Sequence, residues 1–296
     1  MCVKDKISRL LSADLGENEI VGVSYESSDC FIFSPDVQSR AFYRIVCHSS
    51  YETGSFVRHE IWLPEDWNGI YLGLGNGGMA GRILHDQLLP HLLSGYAVAQ
   101  TDMGTSSGRT RGVNNPAVWR DFGWRSTHEM TRLAKQLIKL HYGRPASYSY
   151  FWGASTGGQQ ALSLAQRFPH DYDGIIAGVH ANNRIALHTY FLWNHVHSKR
   201  SDGSNIFTAE EIVRLTSCAV EFFQRQGGGV RTDAFISFPW LGDTTVADLL
   251  SFLREKGFSE EQLRALEAIY SGPVDPDTGR QIYSGMPIGS EKAEWS

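Results

Sequence analysis

The stretch that most constrains the fold of this chain runs from Tyr148 to Gly158, Tyr-Ser-Tyr-Phe-Trp-Gly-Ala-Ser-Thr-Gly-Gly. An aromatic, apolar run stops at Gly-x-Ser-x-Gly, and a helix-forming segment, residues 159–167, follows at once. Strand, sharp turn carrying a serine, then helix is the context in which that pentapeptide carries chemistry. Gly153 and Gly157 remove the side chains that would collide where strand and helix cross. Ser155 is then held at the tip of the turn, with the N-terminus of the helix beneath any negative charge formed there. The same pattern also serves plain glycine-rich turns, so the rest of the chain has to decide.

With 296 residues, 42% of them apolar and 20% charged, the chain has the composition of a packed globular protein. That length suits one large domain or a domain with a sizeable insertion. A net charge of −5 with no basic run argues against nucleic acid or an anionic membrane as partner. No apolar run approaches a membrane span, and residues 1–6 lead into a polar amphipathic segment with no signal-peptide core. Cys2, Cys30, Cys47 and Cys218 are scattered and suggest neither a zinc site nor a disulfide framework. A cytoplasmic location is therefore expected.

Residues 7–11 read as a short helix, and 20–25, 41–46 and 55–63 as strands. Residues 70–74 form a short buried strand running into Gly75-Asn76-Gly77-Gly78, and 95–100 form the next strand. Residues 105–119 read as a loop rich in Gly, Ser, Arg and Asn. Ser126 with Glu129 reads as a capping box that opens a helix, whose Met130, Leu133, Ala134, Leu137 and Ile138 recur at helical spacing. After the serine turn and its helix, residues 173–179 form another buried strand. Strands alternating with helices predict a mainly parallel sheet in an α/β fold for residues 1–180. Residues 181–296 read as a helical segment, with capping boxes at Thr208/Glu211 and Ser259/Gln262.

The Gly75–Gly78 loop sits where an α/β-hydrolase places one donor of its oxyanion hole, the other being the residue after the nucleophile. Here those N–H groups belong to Gly77 or Gly78 and to Thr156. The loop also has the composition of a phosphate loop or a tight turn, although the Gly-x-Gly-x-x-Gly spacing is absent. A serine hydroxyl needs an oriented histidine to take its proton. His170, His180, His188, His195 and His197 follow Ser155, but none follows a later strand, and each reads as a surface or packing residue. Asp233, Asp243, Asp275 and Asp277 have no such histidine to orient, and nothing in the spacing brings His59, His85, His91 or His128 to Ser155. Arg109, Arg111 and Arg120 read as a solvated basic loop or as partners for an acidic substrate.

Several runs together resemble the tannase/feruloyl esterase family. They are Trp62-Leu63-Pro64-Glu65-Asp66-Trp67-Asn68-Gly69, the Gly75–Gly78 loop, Thr101-Asp102-Met103-Gly104, residues 121–129, the serine turn with Gln159-Gln160-Ala161-Leu162, and residues 167–175. A weaker continuation lies in residues 269–273 and in Gly289-Ser290-Glu291 with Trp295. The resemblance implies an α/β-hydrolase core with an inserted lid, a serine carboxylic ester hydrolase acting on phenolic-acid esters of the gallate or ferulate type, and Ser155 as nucleophile. No cofactor is implied. The family's cysteine before the nucleophile is Ala154 here, Tyr43 stands at another cysteine position, and of the family's calcium loop residues 224–233 keep essentially Asp233, so no metal is expected. The resemblance places the catalytic Asp and His beyond the lid, so the chain is expected to be truncated before them, a fragment, or one part of a split protein. On that expectation Ser155 lacks its base, the non-catalytic alternative is an α/β-hydrolase-like binding protein, and an open sheet edge invites self-association.

Overall fold

The computed structural model describes residues 2–27, 40–106, 112–238 and 245–294; Cys30, Arg109, Arg111, Asp243 and Trp295 lie outside them. The chain divides into two compact units, Met1–Asn182 and Asn183–Ser296.

The first unit is a mixed seven-stranded sheet with helices on both faces. Its strands are β1 (Asn18–Glu26), β2 (Phe42–Ser49), β3 (Val57–Pro64), β4 (Ile70–Leu74), β5 (Ala97–Thr101), β6 (Tyr148–Ala154) and β7 (Gly174–Gly178), in the order β1-β2-β3-β5-β4-β6-β7. β5, β4, β6 and β7 run parallel, and β1 to β3 extend the sheet antiparallel from β5. The helices are α1 (Val3–Leu11), α2 (His85–Leu93), α3 (Pro116–Arg120), α4 (Ser126–Tyr142) and α5 (Thr156–Arg167). The stripe expected on α4 is buried: Met130, Leu133, Ala134, Leu137 and Ile138 pack with Tyr43, Ile45, Ile61, Tyr71 and Phe151. On the other face Leu88, Leu89 and Leu92 of α2 pack with Phe42, Trp62, Leu72, Leu74 and Val98. Each such aliphatic side chain contributes about 1.5–3 kcal/mol by leaving water.

Two local expectations are corrected. The sequence reading has no helix between residues 75 and 95, yet α2 forms there around an internal Pro90, a residue that normally breaks a helix. Burial of its three leucines outweighs that local preference. Ser126 does not cap α4 either. The backbone is already helical from Pro116, and a single π turn, Asp121–Arg125, joins α3 to α4. Ser126 Oγ donates to Asp121 O at 2.7 Å, and Glu129 pairs with Arg132. The wide turn is fastened from outside: the Asp121 carboxylate accepts from Ser55 Oγ and Arg125 Nε, both at 2.7 Å.

The second unit is helical, with α6 (Arg184–His197), α7 (Ala209–Arg225), α8 (Val246–Glu255), α9 (Glu260–Ser271) and α10 (Glu291–Glu294). Capping boxes at Thr208/Glu211, Thr245/Asp248 and Ser259/Gln262 start three of them. Leu215, Phe222, Phe223, Leu249, Leu253 and Leu266 form a core of their own. Among the described residues no helix is long and apolar enough to cross a membrane.

Candidate active site

β6 ends at Ala154 and α5 begins at Thr156, leaving Ser155 to make the whole turn at φ 58°, ψ −116°. A side-chain-bearing residue held at positive φ is strained, and persists only where its surroundings fix it. Here they do. Ser155 N–H donates to Gly178 O at 3.1 Å, and its carbonyl accepts from Gln159 N–H at 3.1 Å and Ala181 N–H at 2.9 Å. Three backbones also meet beneath it. A Cβ on Gly153 would lie 2.4 Å from Gly157 O, and one on Gly75 would lie 2.5 Å from Gly157 Cα. The glycines of the motif are thus required by close approach.

The loop after β4 is tied to the same turn. Gly157 N–H donates to Asn76 O at 2.7 Å, and Thr156 Oγ1 donates to Gly78 O at 2.5 Å. Gly78 sits at φ +57°, and added Cβ atoms on Gly77 or Gly78 would meet open space. Neither of their N–H groups has an acceptor among the described residues. Thr156 is the first residue of α5, so its N–H points back toward the turn. Ser155, Thr156, Gly77 and Gly78, named from sequence, therefore come together with open space over the glycines.

What the sequence reading missed is the support underneath. Asn76 N–H donates to Gln160 Oε1 at 2.8 Å, Asn76 Nδ2 donates to Thr101 O at 2.8 Å, and Gln160 Nε2 donates to Thr127 Oγ1 at 2.8 Å. All four residues are buried. An amide network in such a place holds its members rigid because every donor lost there leaves an unpaired polar group. The signal was present but weak: Gln160 lies on the buried stripe of α5 beside Ala161 and Leu164.

The histidines are dispersed. His170 is exposed at the end of α5, and His188, His195 and His197 lie on α6 in the second unit. His180 lies closest along the chain to the bonds that fix the turn, between Gly178 and Ala181, and a Cβ on Gly158 would touch its Cα at 2.6 Å. Among the described residues, however, no histidine ring hydrogen-bonds the Ser155 hydroxyl. His128 does pair with a carboxylate, Nδ1 to Asp171 Oδ2 at 2.7 Å, and stacks on Phe168 at 3.7 Å. Asp171 follows α5, whereas Ser155 precedes it, and twelve helical residues span about 18 Å, so this pair serves packing. Arg120 is not a free cation for a substrate: it and Arg125 share Glu52, whose carboxyl they draw down to about 2.

A serine at a strained strand-to-helix turn, over the carboxyl ends of parallel strands and beside an open glycine loop, is the nucleophile elbow of an α/β-hydrolase fold. The comparisons agree. Residues 43–296 match the model of the family "Tannase and feruloyl esterase", and the chain belongs to that family. Feruloyl esterase B of Aspergillus niger is 40% identical over 153 residues, covering 51% of this chain and 29% of that protein. An uncharacterized esterase of Xanthomonas campestris pv. campestris is 32% identical over 252 residues, 83% of this chain and 43% of its own length. The crystal structure of feruloyl esterase B from Aspergillus oryzae superposes with a TM-score of 0.81 at 25% identity, covering 97% of this chain and 60% of that one. The matched stretch thus spans less than two thirds of each of these relatives.

Proposed function

We propose that this chain carries the nucleophile and oxyanion donors of a serine carboxylic ester hydrolase whose substrates are esters of phenolic acids. Ser155 Oγ attacks the ester carbonyl, and the N–H groups of Thr156 and of Gly77 or Gly78 receive the oxygen as it becomes negative. The carbonyl then re-forms as the ester C–O bond breaks and the alcohol leaves with the serine's proton, and the acyl group is held as an ester on Ser155 until water releases it as the acid. One observation carries the reading: Ser155 is strained at φ 58°, and the two residues after it, Thr156 and Gly157, are bonded to the Gly75–Gly78 loop that would serve the transition state. The phenolic preference rests on what the relatives are named for, feruloyl esters.

A second reading is a non-catalytic binding protein. It is favoured by the lack of a histidine on Ser155 among the described residues. It also draws on a cavity of about 590 Å³ in the second unit, lined among others by Tyr190, Phe191, Asn194, Phe207 and Ile269. A fluorophosphonate reagent separates the two. Covalent labelling of the wild type that disappears in Ser155→Ala supports the esterase; equal background labelling of both removes it.

A further inference from the structure

A cavity of about 390 Å³ lies in the first unit, lined among others by His48, Arg58, Glu60, Arg82, His85 and Asp102. Its place follows from the topology. Arg58 and Glu60 lie at the end of β3 where His59 pairs with Thr101, the last residue of β5, and Asp102 follows directly. Arg82 continues the glycine loop: its carbonyl accepts from Asn76 Nδ2 at 3.4 Å, and the preceding Gly81 N–H donates to Asp102 O at 3.0 Å. From Gly78, which accepts from Thr156, to Arg82 is four residues, at most about 15 Å of chain. The cavity is therefore a near neighbour of the Ser155 turn.

Its two carboxylates are already engaged. Glu60 is fully buried and ionised: burial pushes its carboxyl up, but hydrogen bonds and charge from Arg44, helped by His85 and Trp62, outweigh this and hold it at about 2. Both its oxygens are used, by Arg44 at 2.9 Å twice, Arg58 at 2.5 Å, His85 at 3.0 Å and Trp62 Nε1 at 3.2 Å. Asp102 Oδ1 accepts the N–H groups of Arg58 and Gly104, each at 2.9 Å. The guanidiniums that line the cavity are those of Arg58 and Arg82, and Glu60 is shared between Arg58 and Arg44. Arg82 is exposed and has no ion pair among the described residues, and Arg58 Nε is buried with no acceptor among them. Guanidinium groups suit the planar, two-oxygen geometry of a carboxylate, and Arg82 offers one beside Arg58.

We propose that this cavity is a carboxylate subsite, in which Arg58 and Arg82 hold a free carboxylate carried by the substrate away from its scissile ester. The inference rests on the esterase reading of Ser155 and narrows its substrates to acid-bearing esters. A neutral ester then binds through its acyl part alone, whereas an acid-bearing one adds a charge-assisted contact beside the glycine loop.

The test uses two inert amides on the full chain, so that binding is read without turnover: N-feruloylglycine, which bears a carboxylate, and the neutral N-methylferulamide. Calorimetric titration should show the acid binding about tenfold or more tightly. Arg82→Gln should abolish that preference. Arg58→Lys, which keeps a charge on Glu60 but deletes the Nε donor, should weaken it several-fold, and both variants should keep wild-type affinity for the neutral amide. Equal binding of the two amides, binding of neither, or a preference untouched by both substitutions overturns the subsite. Failure of the esterase reading looks different: fluorophosphonate labelling at Ser155 is missing while the preference for the acid survives.

Discussion

A serine at φ 58° stays there only because its neighbours allow no other arrangement, and the two kinds of glycine around it do different things. Gly153 makes room. Its missing Cβ would sit 2.4 Å from the backbone oxygen of Gly157, an atom that cannot swing aside. Gly153→Ala should therefore cost about 3 kcal/mol or more of stability, read as a lowered urea midpoint. Gly77 leaves an approach open, since a Cβ there meets nothing within 4 Å. Gly77→Ala should alter stability by less than about 0.5 kcal/mol yet slow fluorophosphonate labelling of Ser155 about tenfold or more, because the methyl stands where the oxyanion must come. An unchanged labelling rate in Gly77→Ala would take Gly77 out of the oxyanion site. At this scale the turn was legible, because Gly-x-Ser-x-Gly is local and its glycines answer to local sterics. The Asn76–Gln160 pair was not, because it joins residues 84 apart in sequence and leaves no periodic trace.

Elements were legible where a repeat or a cap marks them. The α4 stripe and the boxes at Thr208 and Ser259 are patterns within a few residues, and they form. The start of α4 misled because Ser126 and Glu129 have the right spacing in a backbone that is already helical, so Ser126 has no free end to cap. Strand order was beyond reach for a related reason: β4 lies between β5 and β6, and only long-range pairing sets that. The order also puts β7 at a sheet end, bonded to β6 alone among the described strands. Tyr148, Tyr150 and Trp152 of β6 and Ile176 of β7 are all exposed, with Trp152 directly opposite Ile176 in the ladder. We propose self-association of two copies through this edge, since an unpaired strand beside exposed apolar side chains templates another. Light scattering after gel filtration should show mass rising with concentration for the wild type, and Ile176→Lys should restore the monomer mass. A wild-type mass that stays monomeric at every concentration rejects the edge as an interface.

Across the molecule, the composition predicted a packed globular chain, and each of the two units has a core of its own. What composition conceals is how many titratable groups the first core takes with it. His59 is fully buried in β3, its Nε2 3.4 Å from Tyr51 Oη, and burial, with the charge of His48 adding to it, pushes its imidazole down to about 3. His141 is pushed down to about 4, by burial first and then by Lys6 and Arg9. An unfolded histidine titrates near 6.5. Between that value and the folded ones, the unfolded chain binds protons that the folded chain refuses, so stability is complete above about pH 6.5 and is lost as pH falls. Each pH unit across that window removes about 1.36 kcal/mol per histidine, so His59 alone accounts for roughly 4–5 kcal/mol by the time pH nears 3. Glu60, held at about 2, adds to the loss only below its unfolded value of about 4.5. The urea midpoint should therefore hold steady from about pH 8 to 7, fall between about pH 6.5 and 4.5, and fall more steeply below. His59→Gln, which keeps a polar group near Tyr51 but cannot take up the proton, should flatten the upper part of that decline. A midpoint level down to about pH 4.5 in the wild type, or a decline as steep in His59→Gln, would show that β3 does not hold a neutral histidine.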